Sequence, residues 1–239
     1  MLEEVFMSTF DEIAAGVYLI SAGRSNSYLL VDDDLTLVDT GMPGDADRVI
    51  DSIKKIGRRC EELNYILITH AHMDHMGSVA AIKKVSGAQV AASSREVAYI
   101  EGLRKTWTMG REGLAGKVFK GVLFLLETFS FHYEPAGVDV PCQGGEVIDC
   151  FGGMQVISSP GHSPGSLSFY QREKKIIFTG DALSGVPDLK LPPRLGCADY
   201  REALASVQKL AELDFDMCFF GHGAPLQKGA ALRVKELGK

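Results

Sequence analysis

The chain has 239 residues, 46% of them hydrophobic and 23% charged, with a net charge of -6 and a pI near 5.5. That length and composition belong to a globular protein able to bury a sizeable core, and the acidic balance argues against electrostatic binding to nucleic acid or anionic membrane. The opening "MLEEVFMSTFDEI" lacks the basic-then-apolar order of a signal peptide and no apolar run is long enough to span a bilayer, so a cytoplasmic location is expected.

In chain order, "GVYLIS", "NSYLLVDD" and "LTLVDTG" are short β runs, and the last two join at Asp32 to Asp34 as an antiparallel hairpin. Asp45 to Gly57 spaces Val49, Ile50, Ile53 and Ile56 helically and stops at a glycine. "NYILITH" reads as a buried strand, "GSVAAIKKVSG" as a helix and "AQVAAS" as a strand, and this alternation implies an α/β layered fold. Residues from about 95 to 135 break the rhythm with helical, strongly apolar sequence. They pack on the core as ordinary helices or overhang the site as a lid or substrate pocket. The β pattern returns from Val138 with "EVIDC", "GMQVISS", "SLSFYQ" and "KKIIFTGD". Asp199 then caps a helix with Ala203, Leu204, Val207, Leu210 and Ala211 on one face. A strand, "DMCFFGHG", and a short helix close the chain, which reads as one domain over residues 1–239 carrying the 95–135 insert. The five cysteines are scattered without a CxxC pair and read as reduced packing thiols.

The chemistry gathers at strand ends. "YILIT" runs into His70, His72, Asp74 and His75; "MQVISSPG" runs into His162; "KIIFTG" runs into Asp181; "MCFFG" runs into His222. Five of the six histidines therefore follow apolar β runs, where a turn can raise ligands onto one sheet edge. His70 and His72, two residues apart, point the same way on extended backbone. Asp74 and His75 are adjacent and diverge, which suits a second ion beside the first. Imidazoles and carboxylates without thiolate suit zinc, iron or manganese. These seven residues amount to about four protein ligands per ion for two ions if one carboxylate bridges.

This combination resembles the metallo-β-lactamase superfamily. Its H-x-H-x-D-H motif stands at His70, His72, Asp74 and His75. Its later histidine is in "SPGHSPGSLSFY" as His162, its bridging aspartate in "FTGDAL" as Asp181, and its final histidine in "FGHG" as His222. "LTLVDTG" matches a strand-ending aspartate, Asp39, which in the family supports a ligand rather than binding metal. The resemblance implies an αββα sandwich, with two face-to-face sheets, helices outside and the metals at one edge. It assigns His70, His72 and His162 to one ion, Asp74, His75 and His222 to the other, and Asp181 to both. Seventeen residues follow His222, so the helical substrate domain of glyoxalase II proteins is not expected. What remains resembles the stand-alone hydrolases and lactonases.

The expected function is binuclear hydrolysis of a small ester, thioester or lactone, with two divalent ions, zinc first and iron or manganese as alternatives. A water between the ions would lose a proton near neutral pH and attack a carbonyl. Asp74 and Asp181 are the catalytic carboxylates on this reading. A mononuclear iron sulfur dioxygenase, a phosphodiesterase or nuclease, and a structural metal scaffold are the other readings. Trp107, Phe129, His132 and Tyr133, with Phe124 and Phe131, are the candidate pocket wall. The expected partner is a small molecule, with a homodimer possible and neither nucleic acid nor membrane involved.

Overall fold

The computed structural model describes residues 10–21, 25–105 and 132–237. The order begins β1 (Phe10–Ala14), β2 (Val17–Ser21), β3 (Asn26–Val31), β4 (Leu35–Val38), α1 (Ala46–Lys55) and β5 (Leu63–Leu67). It continues with α2 (Met73–Met76), α3 (Val79–Ser86), β6 (Gln89–Ser93), α4 (Val97–Ile100) and β7 (Val140–Cys142). The second half holds β8 (Val147–Ile148), β9 (Met154–Ser158), β10 (Leu167–Gln171), β11 (Ile176–Gly180), α5 (Tyr200–Leu210), β12 (Met217–Phe220) and α6 (Ala230–Leu237).

Among the described residues the strands form two sheets, one of seven strands in chain order and one of five in the order β12-β11-β10-β9-β8. In the first, β1 to β4 pair antiparallel, and β4 to β7 run parallel. Parallel neighbours need a long return path, which the α1 and α3 segments provide between β4 and β6. In the second sheet only β11 and β12 are parallel, and α5 lies in the crossover between them.

The strands read with period two, and the two faces bury different partners. Tyr28, Leu30 and Val38 meet Phe169, Phe178 and Phe219 between the sheets. Leu29, Leu35 and Leu37 face the other way, onto Val49, Ile53 and Ile82 of α1 and α3. Ile177, Cys218 and Phe220 pack outward on Val207, Leu210 and Val234 of α5 and α6. Both faces of both sheets are thus apolar, and the result is the expected αββα layering.

Asp199 caps α5 as expected, its Oδ1 accepting from the Arg201 and Glu202 N–H groups. The "EVIDC" strand is shorter than expected, only Val147–Ile148, because Phe151, Gly152 and Gly153 adopt positive φ and turn the chain early. Of the 95–135 insert, α4 is described and sends Tyr99 and Ile100 into the core beneath the first sheet. Residues 106–131 lie outside the described residues, and with them Trp107, Phe124, Phe129 and Phe131. Among the described residues no helix is long and apolar enough to cross a membrane.

Candidate metal centre

Each chemical side chain sits just past the end of a core strand. His70 lies three residues beyond β5, Asp181 directly after β11, His222 two residues after β12 and His162 four residues after β9. The strands that carry these loops are held by apolar packing on both faces. The backbone stays extended at His72 and turns helical at Met73. That turn corrects one expectation: Asp74 and His75 do not diverge, and both reach the same group, with Asp74 Oδ2 3.7 Å from His75 Nε2.

Three ring nitrogens converge first. His70 Nε2 and His162 Nε2 each lie 2.9 Å from His72 Nδ1. One ring nitrogen cannot exchange a proton with two others at once, whereas three lone pairs aimed at a common point suit a cation. A second group forms beside it. Asp74 Oδ2 lies 3.3 Å from His222 Nε2, and the Asp74–His75–His222 ligand atoms fall within 4.8 Å of one another. Asp181 stands between the groups. Its Oδ2 is 3.4 Å from His162 Nε2 and 3.3 Å from His222 Nε2, and its Oδ1 is 3.6 Å from His75 Nε2.

The donor atoms fit divalent ions on a local test. Among the described residues His75 Nε2, His162 Nδ1 and Asp181 Oδ1 are buried and have no hydrogen-bond partner, an arrangement that costs free energy unless something positive is shared between His75 and Asp181. Gly221 makes the same point sterically. A Cβ there would come within 2.2 Å of Asp181 Oδ1 and 2.6 Å of His75 Cε1, so only glycine leaves the cradle clear.

The two groups differ electrostatically. Burial and the neighbouring imidazoles pull His70 well below its ordinary value, and His72 falls to about 3 for the same reasons. Burial likewise lowers His162, although Asp181 opposes it. Burial also pulls on His75, but Asp74, Asp181 and Asp39 outweigh it and hold the imidazole up at about 9. Hydrogen bonds that His222 donates to the Asp181 and Asp74 carboxylates overcome desolvation and raise it to about 11. Burial pushes the Asp74 and Asp181 carboxyls up, yet the surrounding histidines win and keep both below the usual carboxylate range.

Asp39 takes the supporting position. It sits at φ 57, its Oδ2 is 2.8 Å from His75 Nδ1, and its Oδ1 accepts from the Thr69 N–H at 2.8 Å. A proton on Nδ1 leaves Nε2 of His75 facing the second group. Sequence reading did not single out three further groups. Asn26 Nδ2 donates to the Phe220 and Gly223 carbonyls on either side of His222, and Ser25 Oγ donates to the Asp74 carbonyl. Glu96 is buried between the loops bearing His70, His72 and His162. Of the expected pocket wall, His132 is exposed, and Tyr133 is half-buried with its hydroxyl donating to the Tyr99 carbonyl.

Known proteins resemble this chain in sequence and in fold. The probable metallo-hydrolase YflN of Bacillus subtilis is 26% identical over 231 residues, covering 90% of this chain and 86% of the relative. The hydroxyacylglutathione hydrolase GloC of Haemophilus influenzae is 28% identical over 216 residues, covering 86% of this chain and 88% of the relative. The crystal structure of BJP-1, a subclass B3 metallo-β-lactamase of Bradyrhizobium japonicum, superposes with a TM-score of 0.72 at 21% identity, covering 96% of this chain and 89% of that one. The family model of the metallo-β-lactamase superfamily matches residues 20–222, from β2 to the last histidine of the cluster, and the chain belongs to that superfamily.

Proposed function

We propose that the protein is a binuclear, zinc-dependent hydrolase of small esters, thioesters or lactones. The observation that carries this reading is the single carboxylate, Asp181, with oxygens toward both ligand groups and one of them buried without a partner. His70, His72 and His162 would hold one ion, Asp74, His75 and His222 the other, and Asp181 would contact both. When bound, the ions supply Lewis acidity that activates water and stabilises charge developing on a carbonyl oxygen.

The chain's own residues supply the rest. Asp39 holds His75 in one ring orientation through Nδ1, and Thr69 holds Asp39 through its N–H and hydroxyl. Asp74 presents Oδ2 to His222 and keeps a second oxygen with which to orient the attacking water. Gly221 lets the backbone approach Asp181 closely enough to leave room for the reacting group. The choice of carbonyl substrate is supported by the relative named a hydroxyacylglutathione hydrolase, which covers most of this chain.

The test is a panel of an acyl thioester, a lactone, an aryl ester and a phosphodiester, run on chelator-stripped and zinc-reloaded protein. Zinc-restored turnover of a carbonyl substrate is expected. Turnover of the phosphodiester alone, or oxygen uptake with a persulfide by iron-loaded protein, would replace the proposal.

Asp39→Asn gives a narrower check. The amide cannot accept from both Thr69 and His75 as the carboxylate does. Metal affinity should fall about 10–100-fold, the range for groups that orient a ligand. A zinc titration against a chromophoric chelator measures it, and unchanged affinity would mean that His75 is oriented by something else.

A further inference from the structure

We propose that Glu96 is a positioning residue that sets the spacing of the first ligand group, His70, His72 and His162. The inference rests on the metal reading above.

Glu96 opens α4, follows the turn that ends β6, and is 1% exposed. Its two oxygens serve two different loops. Oε2 accepts from the N–H of Ala71, the residue between His70 and His72, at 2.5 Å. Oε1 accepts from the N–H of Gly165 at 2.8 Å and from the Ser163 hydroxyl, which adjoins His162. One planar carboxylate therefore spans the two loops that carry the group, one oxygen to each. Burial pushes the Glu96 carboxyl up, and the hydrogen bonds from two N–H groups and a hydroxyl oppose that push. Gly165 is shaped to this arrangement, because a Cβ there would lie 2.6 Å from Glu96 Cγ. The Leu167 N–H also donates to the Thr69 carbonyl at 2.8 Å, so the loops have a second tie below the ligands. Glu96 is the tie at the level of the histidines themselves.

The chemistry of the bridge makes the role separable from packing. Glutamine has the same shape but only one accepting end. If its carbonyl faces Gly165 and Ser163, its NH₂ faces the Ala71 N–H; if it is flipped, it opposes the Gly165 N–H. Either way one loop loses its hold.

The test is Glu96→Gln in two parent proteins, each titrated with Zn(II) against a chromophoric chelator. His222→Ala keeps the first group whole, and His72→Ala keeps the second. In the His222→Ala parent, Glu96→Gln is expected to weaken zinc about 10–100-fold. In the His72→Ala parent, the change should stay within about threefold. Cobalt(II) absorption of the first group should shift as its ligands lose registry. If Glu96→Gln leaves both affinities unchanged, or weakens both equally, the proposal is overturned. Ser163→Ala covers the case in which Glu96→Gln does not fold. It removes one donor to Oε1 and should weaken the first group alone, by less than tenfold; an equal loss at the second group also overturns the proposal. The parents separate this outcome from failure of the metal reading. A wild-type protein that does not take two zinc ions, or parents that do not each lose one, would sink that reading before Glu96 is touched.

Discussion

Asp181→Ala is expected to lower kcat/KM by about a thousandfold or more and to lower the melting temperature of the metal-free protein. The carboxylate is the one side chain among the described residues with oxygens placed toward His75, His162 and His222 together. On the proposed reading it holds the two ions at a fixed separation, and losing about 4 kcal/mol of transition-state stabilisation is about three powers of ten in rate. In the metal-free fold Asp181 Oδ2 lies 3.4 Å from His162 Nε2 and 3.3 Å from His222 Nε2, so the same change removes a carboxylate that holds His222 charged and is destabilising near neutral pH. Steady-state kinetics beside a thermal melt separate the two effects. Activity within tenfold of wild type would end the shared-carboxylate reading, and an unchanged metal-free melt would mean that Asp181 does not hold His222 charged. Asp181→Asn keeps one oxygen and should fall between the two.

The fold and the cluster of histidines and aspartates were legible for one reason, and the groups around that cluster were hidden for another. Strands buried on both faces write themselves as apolar runs, and "YILIT", "KIIFTG" and "MCFFG" name both the core and the places where it delivers ligands. Residue type did the rest, since His70, His72, His75, His162 and His222 are rare residues clustered at run ends. Asp39 was legible only through the family pattern. Glu96 carries no such mark: it sits in "SSREVAY" beside Arg95, where a glutamate reads as surface charge, and only the paths of the Ala71 and Gly165 loops turn it inward. Asn26 is hidden in the same way, because its side chain acts on carbonyls 194 and 197 residues away. The direction taken by Asp74 and His75 was misread because adjacency predicts divergence on extended backbone, and the chain coils into α2 one residue earlier.

Proton release should distinguish the two ligand groups. In metal-free protein His75 is held up at about 9 and His222 at about 11, so both imidazoles are charged at neutral pH. An unfolded histidine titrates near about 6.5. The raised pair therefore stabilises the metal-free fold fully below that value and loses the contribution as pH rises through 9 and then 11. His72, lowered to about 3, has the opposite sign: its contribution is present above about 6.5 and is lost as pH falls toward 3. His70 and His162 are lowered too and add to that flank. Metal-free stability should thus peak between the two flanks, near neutral pH. Zinc must displace protons only from the second group. Its affinity for that group, read in His72→Ala protein, should rise about a hundredfold per pH unit between pH ~6.5 and ~8.5, with two protons leaving per ion. The first group, read in His222→Ala protein, should be nearly flat over the same range. Chelator competition at several pH values, with an indicator dye counting released protons, measures both slopes. Equal slopes would mean that Asp74 and Asp181 do not hold His75 and His222 protonated, and that the two ligand groups are electrostatically alike.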